Sequence, residues 1–493
     1  MNRTLALLLG GLALSSCGDS GGQTTEPEPD TTATVAAPVA TVTLSPAELA
    51  MVIGDTELLV ATTRQQNGTT LTGRVVKWAT SDSSVASVST NGLVKAERVG
   101  AATITATSEG KSNIASVTVS AISNVAFALV ATGGAHTCAL TAAGAAFCWG
   151  RGESGQLGVP APISMCNTDA GPRSCSKIPI AVGGGLTFAQ LAGGGAHTCA
   201  LTSDGSAYCW GDNSSGQLGV NSNASQTAPV RVTTTLKFAS IDAGAVHTCA
   251  LTSSGTAYCW GSNSHGQLGD STTFLRSVPT LVAGGHIFNA IRAGGFVFGH
   301  TCALTTDGAA YCWGDNERGQ LGRGGSNVGA QPVPARVNGL TFASLTVGLG
   351  RHSCGITISG AAYCWGENTF GALGNGSALD SSFPAAVSAG LGFVQLAAGG
   401  FIGHTCGRTS TGAAYCWGEN ETGSVGDGTT IDRLEPVAVS GGHTYTSLDS
   451  GFRHTCGRAS TGVVYCWGSN GAGQLGNNAN LASAMPVKVV GQQ

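Results

Sequence analysis

Apolar and polar positions alternate with a period of two over most of this chain, the pattern of half-buried strands. Between residues 40 and 121 the apolar members are Val42 and Leu44, Leu58 and Val60, Val85 and Val88, Val94, Ile104 and Ala106, and Val117 and Val119. Turns at Ile53-Gly54-Asp55, Asn67-Gly68 and Asn91-Gly92 separate them, so about seven short strands are expected, a β-sandwich. From residue 122 onward the alternation becomes repetitive. One unit reads as four strands: Phe188–Gly194, His197–Thr202, Ala207–Gly211 and Pro229–Val232. The apolar run Leu5–Leu14 behind Arg3 breaks the alternation. It is too short to span a bilayer and reads, over residues 1–16, as a signal peptide.

The repeated unit is written seven times between Gly133 and Gly476: His-Thr-Cys, a turn with Gly, Tyr-Cys-Trp-Gly, then usually Gly-Gln-Leu-Gly. Its cysteines pair as Cys138/Cys148, Cys199/Cys209, Cys249/Cys259, Cys302/Cys312, Cys354/Cys364, Cys406/Cys416 and Cys456/Cys466, each ten residues apart. The first cysteine recurs at intervals of 61, 50, 53, 52, 52 and 50 residues. Such a period marks units that bury their faces only against one another. Four strands in each of seven units predict an all-β fold, a seven-bladed β-propeller over residues 122–493. The strand Pro486–Val489 either completes the seventh blade or closes the ring on the first; the sequence leaves both open.

These motifs resemble the regulator of chromosome condensation repeat, over all seven units. The stretch from Trp78 through Ser81, Val85, Gly92, Val94, Gly100 and Ala102–Ala106 resembles the bacterial immunoglobulin-like group-two domain. That resemblance implies a spacer or binding module at 40–121, with Trp78 as a central packing residue. Leu14-Ser15-Ser16-Cys17 resembles the bacterial lipobox, which implies a lipid on Cys17. Residues 17–39, including Glu26-Pro27-Glu28-Pro29-Asp30, are too polar and Pro-rich for a core and read as a disordered tether.

Composition narrows the chemistry. Charged residues are 10% of the chain, Gly numbers 76 and the net charge is −4, so no basic field invites nucleic acid. The propeller family's namesake acts on the GTPase Ran and chromatin in the nucleus, a role that an exported, slightly acidic chain without a basic tail does not fit. Protein inhibition, known of another secreted relative, fits better. Nucleotide is not expected either, because Gly216-Gln217-Leu218-Gly219 lacks the phosphate-loop lysine.

The turn Ser203-Asp204-Gly205 pairs Thr202 with Ser206 and so sets Cys199 opposite Cys209, within reach of a disulfide. Seven such pairs, the insertion pair Cys166/Cys175 and Cys17 account for all 17 cysteines. An oxidising cell envelope or cell surface is the expected location.

The motif histidines His136, His197, His247, His300, His352, His404 and His454 begin strands too far from the axis to share a metal ion. Each is expected to bond loop backbone inside its own blade, the tryptophans to pack blades, and no metal or cofactor is required. Function is expected where the repeats differ. Loops on one face carry Phe296, Phe298, Arg318, Arg351, Phe370, Phe401, Phe452 and Arg453. They form either an interaction surface for a protein or glycan or, for the phenylalanines, a plug in the channel mouth. Repeats five to seven carry Gly355, Gly407 and Gly457 where the others have Ala, so that side is expected to pack or bind differently. No catalytic residue is identified: a nucleophile–base pair is absent from the motifs. The expected molecule is therefore a lipid-anchored binding protein. A polysaccharide-active enzyme using Glu153, Glu317, Glu367, Glu419 or Glu421, and a structural envelope protein, are the alternatives.

Overall fold

The computed structural model describes residues 37–52, 56–97, 100–120, 125–159, 164–168, 171–295, 298–400 and 403–492. The signal peptide, Cys17, the tether up to residue 36, Phe296 and Phe401 lie outside the described residues. Among the described residues no helix is long and apolar enough to cross a membrane.

The strands between Thr41 and Ser120 form three small sheets around one apolar core. Ten strands are present rather than seven. The chain changes sheet at Leu59: Thr56–Leu58 pairs with Leu93–Ala96, whereas Val60–Arg64 pairs with Thr41–Ser45. Leu59 is therefore the inward residue at 1% exposure, and Leu58 and Val60, expected inside, face solvent at 49% and 53%. Trp78 is half-buried at the margin of the core, over Gly92, and Ile104, Ala106 and Val94 hold its centre. Its indole needs an edge position because its ring replaces the side chain that Gly92 lacks.

The remaining strands make seven sheets in sequence order. Blade two is typical: Gln190–Gly193 innermost, then His197–Leu201, Ala207–Gly211 and Gln226–Arg231. Blade one carries the extra hairpin Ser164–Thr168 with Gly171–Ala181, and this hairpin holds Cys166 and Cys175, which are bonded to each other. The open question at the C-terminus is resolved by pairing: Ser483–Lys488 lies on Val464–Gly468 and completes blade seven. The ring closes through side chains and loops. Arg458 Nε donates to Phe127 O at 2.7 Å, and Val125 N donates to Gly491 O at 2.8 Å.

The second and third strands of every blade place the paired cysteines directly opposite one another in register. Cys138–Cys148, Cys199–Cys209, Cys249–Cys259, Cys302–Cys312, Cys354–Cys364, Cys406–Cys416 and Cys456–Cys466 are all disulfide-bonded, with Cα–Cα distances of 4.0–4.1 Å. Closing a short loop is nominally worth ~3 kcal/mol, but the hairpin already restricts its own unfolded state. Replacing Cys199 and Cys209 together by Ser is thus expected to cost about 1–2 kcal/mol, read as a lower denaturant midpoint at unchanged slope. A loss above the nominal value would show that the pair also holds neighbouring blades together.

The main-chain carbonyls of the histidines accept from their own loops, as His197 O does from Gly194 N at 2.8 Å, but the imidazoles bond across blade boundaries. Each Nε2 reaches the hydroxyl at the second motif position of the next blade: His136–Thr198, His197–Thr248, His247–Thr301, His300–Ser353, His352–Thr405, His404–Thr455 and His454–Thr137, at 2.8–3.0 Å. Each hydroxyl in turn donates to a carbonyl of the preceding blade, as Thr248 Oγ1 does to Gln217 O at 2.9 Å. The hydroxyl's one proton is committed there, so the imidazole must donate from Nε2. The same carbonyl accepts from the buried indole of the next blade, Trp260 Nε1 to Gln217 O at 2.9 Å. Where Ala372 or Ser424 stands in place of Gln, the backbone carbonyl still receives Trp417 or Trp467. The repeat motif is thus a latch between blades, and its seventh copy closes the circle. Two glycine requirements follow. At Gly244 a methyl would land on the His247 imidazole, and at Gly219, with φ of 71°, it would strike the Trp260 indole.

The glycines of blades five to seven also have a packing reason. A methyl on Gly355, Gly407 or Gly457 would meet the ring of Phe342, Phe393 or Tyr445 in the same blade. The equivalent rings Phe127, Phe188, Phe238 and Phe288 of blades one to four lie beside Ala instead, so the aromatic alone does not account for the change.

Candidate functional site

The loops following the inner and third strands meet on one face, and their contacts cross blade boundaries. Phe298 of blade four is half-buried between two neighbours. The His265 ring of blade three packs edge-on to it at 4.5 Å, and the Arg351 guanidinium of blade five lies over it at 4.7 Å. A cation above an aromatic face is attracted by the ring quadrupole. Arg351 also reaches Glu317 at 3.2 Å and Asp315 at 4.0 Å. Burial raises the Asp315 carboxyl above its ordinary range, and Arg351 opposes that shift.

Arg318 continues this patch, 3.3 Å from Asp380 and 3.9 Å from Glu367. Burial likewise raises Glu367, with Arg318 and Arg351 pulling the other way. Phe370 is half-buried nearby in the sequence of blade five. A second patch lies towards blades six, seven and one. Arg453 sits 3.4 Å from Glu421 and 3.9 Å from Glu419, whose carboxyl burial raises. Phe452 is half-buried across the rim: its ring abuts Gly134 and Gly400, on blades one and six, and Leu349 adjoins Gly400. Phe452 therefore narrows the channel mouth, while Phe298 belongs to a charged stack beside it.

The five glutamates considered for catalysis each have an arginine partner: Glu153 with Arg151 and Arg173, Glu317 with Arg351, Glu367 with Arg318, and Glu419 and Glu421 with Arg453.

Sequence reasoning does not single out the channel itself. Its cavity of about 400 Å³ is lined by the inner strands of the blades, including Asp242, Arg292 and Asp449. Asp242 Oδ2 accepts from Ala293 N at 2.8 Å in the next blade, and Asp449 Oδ2 accepts from Thr132 N at 2.6 Å across the ring closure. Burial raises Asp242 to about 6, with Arg292 drawing it back, and raises Asp449 as well. The available signal is positional: the fifth residue counted from the aromatic that opens each inner-strand segment is Ala131, Ala192, Asp242, Arg292, Thr346, Ala397 or Asp449.

Seven sheets in sequence order, four-stranded except for the five-stranded first, with a blade-to-blade latch and a variable loop face define a repeat propeller. The chain belongs to the RCC1-like domain family, which matches residues 53–351. Regulator of chromosome condensation (RCC1) repeats match residues 342–372, 393–424 and 445–474, and in a second form 359–406 and 461–493. Similar proteins include the human E3 ubiquitin-protein ligase HERC2, 32% identical over 63% of this chain, and the Arabidopsis thaliana ultraviolet-B receptor UVR8, 32% identical over 63%. The matched region spans 5% of HERC2 and 57% of UVR8. Among solved structures, human WBSCR16 aligns with a TM-score of 0.61 at 19% identity, covering 70% of this chain and 94% of that one. Yeast RCC1 (Prp20) bound to Kap60 gives 0.59 at 21%, covering 70% and 83%.

Proposed function

We propose that this chain is an exported, lipid-anchored interaction protein that offers the loop face of its propeller to a protein partner. The observation that carries the reading is the His265–Phe298–Arg351 stack, built from three blades and belonging to no repeated motif. Rigid strands hold an aromatic and a guanidinium together at a loop surface, a composition typical of strong recognition positions. The partners of similar structures are proteins: Kap60 for Prp20, and Gsp1p and histones for Prp20p. Protein therefore stands ahead of glycan as the class of partner here.

Eight disulfides support an oxidising, extracytoplasmic setting. The lipobox-like Cys17, the polar tether and the immunoglobulin-like residues 40–121 supply an anchor, a leash and a spacer.

Affinity capture from the native envelope tests this reading. A partner held by the full chain is expected to be lost, by about tenfold or more in affinity, from Phe298→Ala and Arg351→Ala, as for removal of a central interface anchor. Melting curves confirm folding of both variants, and Cys17→Ser is expected to move the protein out of the membrane fraction. Undiminished capture by both loop variants would remove the site from this face.

A further inference from the structure

The axial channel holds three ionisable side chains, Asp242, Arg292 and Asp449. Four of its seven blades manage with Ala or Thr at the fifth inner-strand position. Asp242 and Asp449 each commit one oxygen to a backbone N–H of the following blade, which covers part of an exposed sheet edge. Arg292 has no such duty: its Nη1 donates to Ile291 O in its own strand at 2.8 Å. Arg292 and Asp449 both face a side recess of about 200 Å³, together with Thr346 and Gln395. Leu345, Ile356, Leu396 and Leu448 stand behind a lining that is more polar than apolar, and Arg292, Thr346, Gln395 and Asp449 also line the main channel.

We propose that this recess binds a small zwitterion of the α-amino-acid class, with its carboxylate on Arg292 and its ammonium on Asp449. A simple anion there would face Asp449, and a simple cation would face Arg292. A molecule carrying both charges meets each with its opposite through charge-assisted hydrogen bonds. Size permits it: a water occupies about 30 Å³ in the liquid, so the recess holds about six or seven waters' worth, more than a small amino acid fills. Asp242, on the blade next to Arg292, stays with the backbone of blade four.

Titration calorimetry of the full chain with L-alanine, methylammonium and acetate as separate probes tests the site. L-alanine is expected to bind, and the two half-molecules to give no heat at equal concentration. Arg292→Met and Asp449→Asn are each expected to weaken L-alanine at least about tenfold, the scale of one lost charge-assisted contact. Asp449→Asn also touches the ring closure, so Arg292→Met decides the matter if the former fails to fold. No heat with L-alanine, equal binding by Arg292→Met, or equal binding of methylammonium or acetate would overturn the proposal.

Discussion

Lowering the pH from 7 to 4 is expected to cost this propeller most of its stability. The seven latch histidines are fully buried, and burial pushes their pKa values down to about 3 for His136, His247, His300, His404 and His454 and about 4 for His197 and His352. For six of them Nδ1 has no partner to receive a proton's charge. The folded values lie below the unfolded value of about 6.5. Protons therefore bind the unfolded chain first as pH falls, and the stabilisation, complete above pH 6.5, is lost progressively towards pH 3–4. Each histidine contributes about 1.4 kcal/mol per pH unit in that window. At pH 5.5 seven of them sum to on the order of 10 kcal/mol, comparable with the whole stability of an ordinary domain.

Buried carboxylates act in the opposite sense. Asp242, raised to about 6, strains the fold when charged and is relieved as it is protonated, and Asp449, Asp315, Glu367 and Glu419 share that direction. They narrow the loss without reversing it, because the seven histidines outnumber them and every blade boundary carries one. Thermal melts of the oxidised chain from pH 8 to pH 4 should be flat above pH 7 and fall steeply below 6.5. A melting temperature that holds steady down to pH 4.5 would mean that the histidines are not buried in neutral form.

The sequence discloses what local geometry controls. A three-residue turn fixes the register of Cys199 against Cys209, so the staples are legible from a single hairpin. The latch is not, because His197 and Thr248 lie in different units and meet only once the ring has closed. Judged from one repeat, a histidine at a strand start has its own loop as the nearest partner, which is why the sequence points there. The same reasoning explains the loop face. Phe298, Arg351 and Arg318 can be assigned to one side from strand alternation alone, but the stack depends on which loops adjoin across blades. Asp242, Arg292 and Asp449 are hidden because each is a single departure in a degenerate strand. They become a group only when seven inner strands are aligned around one axis.

The latch also makes the second large effect specific to one atom. Thr248→Val keeps the shape of the side chain but removes the hydroxyl that accepts from His197 and donates to Gln217 O. The buried Nε2–H of His197 is then left without an acceptor, while Gln217 O keeps Trp260. A lost bond and a stranded buried donor together are expected to cost about 2–4 kcal/mol. Thr248→Ser should cost well under half as much, since blade five already uses Ser353 in this place, 2.8 Å from His300. Denaturant unfolding of the two variants separates hydroxyl from methyl. A larger loss in Thr248→Ser than in Thr248→Val would assign the contribution of Thr248 to the packing of its methyl, and the circle of hydrogen bonds would then be incidental to what keeps seven blades in one ring.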